Sequence, residues 1–162
     1  VYLNIINKAR RYVYICTPYL IIDNEMMTAL CLAAKNGVDV RIMTPGTPDK
    51  KLVFLLTQSY YRQLLENGVK IYEYQPGFLH AKTFVCDDEI AVVGTINLDY
   101  RSLYLHFEDG VWIYGNDVIW SMKEDFVQTL EDCHTVPLEF CKNRKIPVRI
   151  MQNVLRAFAP ML

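Results

Sequence analysis

The sequence predicts an α/β protein, a layered α-β-α sandwich built on a mixed β-sheet. Three observations carry that expectation. β-branched and aromatic runs alternate with segments of helical apolar spacing as far as Tyr74. Glycines, Gly37 and Gly68, fall just past two of the helical segments. The reversal Asp87-Asp88 is too short to join its flanking strands in any but an antiparallel pair, whereas the helical crossovers before it favour parallel pairing.

Taken in order, about Leu3 to Arg11 reads as a short helix, and Tyr12 to Cys16 as a strand that Pro18 terminates. Asp23 is placed to cap a helix with Met26, Met27, Leu30 and Ala34 at helical spacing. Val38 to Met43 alternates as a strand, and Thr44 to Asp49, with two prolines and a glycine, is a loop. A second helix runs from about Lys50 to Glu66 and feeds a strand from Val69 to Tyr74. The turn Gln75 to Phe78 precedes a strand from His80 to Cys86, and Ile90 to Val93 returns as an almost wholly apolar strand, the pattern of one covered on both faces. A sixth strand, Asp109 to Tyr114, leads into an amphipathic helix from about Asp117 to Cys133. Beyond it, Val148, Met151, Val154, Leu155 and Phe158 share one helical face with Arg149 and Arg156 among them. Such a face is expected to pack on its own domain or a partner domain, with a membrane interface as the alternative.

The chain has 162 residues, 52% of them apolar, enough for one substantial core but not for two, so residues 1–162 are read as a single domain. Seventeen Lys+Arg against 18 Asp+Glu leave no basic excess, which speaks against a nucleic-acid partner. Five cysteines, an odd number without C-x-x-C spacing, suit a reducing compartment, with Cys16 and Cys86 as small buried apolar groups. The chain begins at Val1 inside a periodic segment and holds no apolar run of membrane-spanning length, as expected of a piece of a longer protein.

The chemistry concentrates after residue 79. From His80 the sequence reads H-x-K-x-x-x-x-D, with Lys82 and Asp87, followed by Gly94-Thr95-x-Asn97 and, farther on, Glu108. Strand residues two apart share a face, so the His80 imidazole and the Lys82 ammonium are expected to meet on one anionic group. Histidine is a nucleophile or proton shuttle at neutral pH, while Lys82 and the Asn97 amide suit the non-bridging oxygens of a phosphodiester. Gly94 lets backbone approach closely where Thr95 and Asn97 turn. Glu108 is expected to orient the histidine by accepting its second ring N–H. Asp87, at the far end of the strand, is expected to fix local structure by hydrogen bonds. His106 and His134 lack a lysine two positions on and begin no second motif.

His80, Lys82, Asp87, Gly94, Thr95 and Asn97 resemble the HKD signature of the phospholipase D superfamily, with Thr95 where serine is common. Glu108 stands where that family carries its histidine-orienting carboxylate. The stretch HAKTFVCDDEIAVVGTINLDYRSLYLHFE resembles the second HKD block of bacterial cardiolipin synthases, and the likeness runs from YICTPYLIIDNEM to the apolar C-terminus. That resemblance implies a membrane-associated phosphatidyltransferase that joins two phosphatidylglycerols into cardiolipin and releases glycerol through a phosphohistidine. It implies no cofactor and no metal. Two histidines, one on each side of the phosphorus, serve such chemistry; this chain supplies one. The resemblance therefore implies a partner, either an N-terminal HKD half of the same protein or a homodimer mate. In two-motif members His80 would be the general acid and base. Localisation at the bacterial cell membrane, through the parent protein and on its cytoplasmic side, follows from the same likeness. The rival reading is a single-motif homodimeric phosphodiesterase or nuclease; a degenerate module that only binds lipid is disfavoured by the complete residue set.

Overall fold

The computed structural model describes residues 1–161. Its frame is a seven-stranded mixed sheet. The strands in chain order are β1 (Tyr12–Cys16), β3 (Asp39–Pro45), β4 (Lys70–Tyr74), β5 (Thr83–Cys86), β6 (Ile90–Gly94), β8 (Gly110–Tyr114) and β9 (Cys133–Thr135), and they lie side by side as β8-β6-β5-β1-β3-β4-β9. A separate two-stranded parallel pair joins β2 (Leu20–Ile21) to β7 (Leu98–Asp99). Strands β1, β3 and β4 are parallel, because α2 (Asn24–Lys35) and α3 (Lys51–Glu66) return the chain between them; β5, β6 and β8 add antiparallel neighbours, the first two joined by the short turn at Asp87-Asp88, and β9 does so on the other edge.

The layers follow from β1, whose five residues are all buried. Val13 and Ile15 point into the larger core, shared with α1 (Tyr2–Lys8), α2 and α3; Tyr12, Tyr14 and Cys16 point into a smaller core closed by Ile119 and Phe126 of α4 (Val118–Thr129). Alternate side chains thus serve opposite faces of one strand. Two shorter helices, α5 (Leu138–Lys142) and α6 (Ile146–Ala157), stack outside α3. Asp23 caps α2, its carboxylate accepting from the Met26 N–H at 2.7 Å. Cys16 and Cys86 are buried free thiols that burial pushes up to about 12.

The α/β layering matches the sequence reading, and several boundaries shift. The first helix stops at Lys8, three residues short of Arg11, because Arg10 and Arg11 offer their backbone N–H groups to Asp87 instead of to a further turn. The third strand reaches through Thr44 to Pro45, where Thr44 and Pro45 pair with Glu73 and Tyr74. Nine strands occur among the described residues where six were expected. The three extra ones span two or three residues each, too short to carry a period. The predicted strand His80–Cys86 begins only at Thr83, so His80 lies in the preceding irregular segment.

Candidate active site

Strand register brings the motif together. Cys16, the last residue of β1, pairs with Thr83, which in turn pairs with Val93. Lys82 and Gly94 therefore sit one step beyond the ladder at the end where β1 leaves the sheet, joined by Gly94 N–H donating to the Lys82 carbonyl at 3.3 Å. That is the carboxyl end of the parallel strands, where open α/β sheets place their ligands. The β2/β7 pair then docks the Asn97 loop against the segment following β1, with Leu98 N–H donating to the Thr17 hydroxyl at 3.1 Å.

Gly94 has no room for a side chain. A Cβ there would lie 2.2 Å from the Asp109 carbonyl oxygen and 2.6 Å from the Gly110 Cα, so the close pairing of β6 with β8 beside the site requires glycine. The closeness fixes the next residue as well. Thr95 N–H donates to the Asp109 carbonyl at 2.8 Å, and Asp109 N–H donates back to the Thr95 hydroxyl at 2.9 Å. The Thr95 hydroxyl itself donates to the Glu108 carboxylate.

Lys82 is a buried cation. Its ammonium donates to the His80 carbonyl at 2.7 Å and makes no salt bridge among the described residues. Desolvation lowers its pKa from the ordinary lysine value, opposed by the negative charges of Glu108 and Asp99. The site thus holds a positive charge that protein groups only partly compensate.

Asn97 donates its side-chain amide to the Ser102 hydroxyl at 3.0 Å, while its Oδ1 is buried without a hydrogen-bond partner among the described residues. Ser102 stands in a π-helical turn, Arg101–Leu105, that Asp99 starts by accepting the Ser102 N–H at 2.8 Å. A cavity of about 180 Å³ opens beside this loop, bordered by Asn97, Asp99, His106, Tyr19, Lys50 and, from the C-terminal segment, Ala159.

Glu108 and His80 do not meet as the sequence reading expected. Glu108 accepts from Thr95 and faces His106, whose Nδ1 lies 3.6 Å from its carboxylate. The Thr95 hydrogen bond, joined by Ser102 and His106, holds the Glu108 carboxyl below its ordinary value against a smaller opposing effect of burial. His80 is exposed; its ring packs obliquely 5.7 Å from Phe78 and makes no hydrogen bond among the described residues. The reason is the late start of β5 at Thr83: without a ladder at residue 80, Lys82 curls back onto the His80 carbonyl and the imidazole stays outside. Asp87 lies at the opposite end of β5, at φ +55°, and its carboxylate accepts the backbone N–H groups of Arg10, Arg11 and Tyr12 at 2.7, 2.9 and 2.8 Å. It locks the α1–β1 junction.

Ser102 and Asp99 are site residues that sequence reasoning missed. Both stand in the Leu98 to Ser102 continuation of the motif, but a π-helical turn has no apolar period to reveal which of its side chains point inward.

A family model described as "Cardiolipin synthase, PLD-like domain" matches residues 2–130. A cardiolipin synthase of Clostridium perfringens is 46% identical over 161 residues, spanning 99% of this chain and 34% of that protein. Among solved structures, phosphatidylserine synthase of Haemophilus influenzae superposes with a TM-score of 0.76 at 18% identity, over 99% of this chain and 42% of that one. The phospholipase D family member Nuc of Salmonella typhimurium gives a TM-score of 0.72 at 18% identity, over 83% of this chain and 87% of that one. The chain spans about a third of the length of the curated relatives it matches. With four-fifths of its length under that family model, the chain belongs to the PLD-like domain family of cardiolipin synthase.

Proposed function

We propose that this chain is one PLD-like domain of a longer, two-motif membrane-associated protein and supplies half the active site of a phosphatidyltransferase that forms cardiolipin. Two phosphatidylglycerols react, glycerol leaves, and the phosphatidyl group passes through a phosphohistidine on the other half. In this reading His80 is the general acid and base. It protonates the departing glycerol oxygen, then takes the proton from the hydroxyl of the second phosphatidylglycerol as that oxygen attacks phosphorus. His80 turns from solvent toward the phosphorus, and Glu108 then accepts its second ring N–H, when substrate and the other half close the site.

The observation that carries the reading is Lys82: a buried ammonium held by one carbonyl, with no carboxylate ion-paired to it among the described residues. A buried charge in that state is relieved by an anion, and a phosphodiester is the anion an HKD set is suited to. Asn97 adds to it. Rotating its amide by half a turn lets Oδ1 accept from Ser102 and turns the unpartnered position into an N–H donor for a non-bridging oxygen.

The missing half has a place to sit. Strand β8 is a sheet edge, paired only with β6 among the described residues, and it exposes Val111, Trp112 and Tyr114 beside a fully exposed Phe107. An uncovered apolar edge next to the Thr95–Glu108–Asp109 network is the surface a second HKD domain would cover.

The test is a lipid assay on the full-length protein, wild type against His80→Ala, with phosphatidylglycerol vesicles as substrate. Cardiolipin and free glycerol from wild type alone are expected. Absence of both from wild type, with cleavage of a soluble phosphodiester or of DNA, would overturn the synthase reading in favour of a phosphodiesterase.

A further inference from the structure

The C-terminal helix α6 is turned against the usual rule. In a surface helix the apolar stripe faces the core, yet here the buried residue of α6 is the polar Gln152, with Val148 and Leu155 half-buried near it. The Gln152 amide donates to the Leu55 carbonyl at 3.2 Å, and the Arg156 guanidinium lies 4.5 Å from the centre of the Tyr60 ring. Of the face expected from sequence, Val148 and Leu155 turn inward while Met151, Val154 and Phe158 turn out, joined by Ile150. Ile150, Val154 and Phe158 are 59%, 48% and 53% exposed. A stripe of that size left in water on an ordered helix calls for an occupant.

We propose that α6 is a membrane-docking helix, lying in the interface of an anionic bilayer with Ile150, Met151, Val154 and Phe158 among the acyl chains and Lys145 and Arg149 at the headgroups. Charge selects the bilayer over a protein. After Glu139 the chain carries Lys142, Arg144, Lys145, Arg149 and Arg156 and not one acidic residue, although the whole chain is slightly acidic. Anionic lipid attracts a run of cations with no acidic residue among them. Length sets the pose. Twelve residues span about 18 Å, well short of the ~30 Å of a hydrocarbon core, so the helix lies along the surface.

Position gives the contact a purpose. Just past the end of α6, Ala159 borders the same cavity as Asn97 and His106. A docked α6 therefore brings the mouth of the candidate site to the headgroup plane, where a lipid phosphodiester is found. This deepens the lipid reading of that site and rests on it for the identity of the substrate. It adds a membrane contact belonging to this domain itself, separate from any anchor elsewhere in a longer protein.

Both cores are filled by the chain's own residues, so the 162-residue chain is a fair object for the test: flotation with vesicles of equal parts phosphatidylcholine and phosphatidylglycerol, and with phosphatidylcholine alone. Wild type is expected to float with the mixed vesicles and poorly with the neutral ones, and added salt to weaken the difference. The triple substitution Ile150→Gln, Val154→Gln, Phe158→Gln, all at exposed positions, should cut the bound fraction by about tenfold or more with an unchanged circular dichroism spectrum. The pair Lys145→Gln, Arg149→Gln should remove the preference for the anionic vesicles. As a control, Trp112→Gln with Tyr114→Gln on β8 should float as wild type does. Wild type that stays out of the lipid fraction, a triple variant that floats unchanged, or loss of flotation in the β8 variant instead would each overturn the proposal. So would a triple variant whose only change, by sedimentation, is conversion of a dimer to a monomer, since a second copy would then be the occupant. Flotation and turnover separate the two readings: a chain that floats, beside a full-length protein that makes no cardiolipin, removes the synthase reading alone, and turnover without flotation removes the docking alone.

Discussion

Two residues of the motif show how differently its members act. Lys82 is held in a state that costs stability, because folding strips water from an ammonium without giving it a paired carboxylate. Its folded-state pKa lies below the ordinary 10.5, so between the two values the unfolded chain binds more protons, and stability rises with pH through that window. We expect Lys82→Met to abolish turnover, to stabilise the chain by about 1 kcal/mol in urea at neutral pH, and to remove the alkaline rise; a destabilised Met variant would contradict this account. Asp87 works the other way. It satisfies three backbone N–H groups at the start of β1, and Asp87→Ala should cost about 3 kcal/mol in the same titration. Glu108 has a lowered pKa, so its stabilising effect is present above its ordinary value of 4.5 and is lost as pH falls through the lower folded value. Glu108→Gln should flatten the acid limb of a thermal melt followed from pH 6 downward. Sequence singled out His80, Lys82, Asp87, Asn97 and Glu108 as candidates. Their partners were not, because a hydrogen bond between residues far apart in sequence leaves no local pattern.

At the scale of elements, the pairing of β6 with β8 at Gly94 is the least tolerant point near the site. Gly94→Ala places a methyl carbon against the Asp109 carbonyl and Gly110 Cα, neither of which can move without breaking the ladder. A loss of about 2–3 kcal/mol, with turnover failing alongside, is expected; a variant that melts like wild type would show that the close approach is relieved by a shift of β8. The strand-helix alternation from β1 to β4 was readable because apolar periods of two and of about 3.6 differ over segments of five residues or more. The pair of β2 with β7 and the addition of β9 to β4 were not, since β2, β7 and β9 span two or three residues each and depend wholly on neighbours. The strand at His80 was misread for a related reason: alternation continues in sequence past the point where β1 ends and pairing stops.

At the scale of the whole molecule, two uncovered apolar surfaces stand apart: the β8 edge beside the site, and the outer stripe of α6 behind α3. On the proposed two-half reading, splitting the full-length protein between the halves should leave two chains that co-elute, and Trp112→Lys with Tyr114→Lys should separate them while leaving this chain folded; continued co-elution would place the contact elsewhere. What the sequence by itself determined was the α/β layering, the HKD motif with its typed positions, and the fact that only one motif is present. Those depend on residue type and local spacing. Only the tertiary structure decided that Asp87 holds the backbone N–H groups of Arg10, Arg11 and Tyr12, that Glu108 faces Thr95 and His106, and that α6 turns part of its apolar face outward. Each of these is set by strand register or by competition among distant groups for the same hydrogen bond or the same buried surface, and such competition is resolved only when the chain has folded.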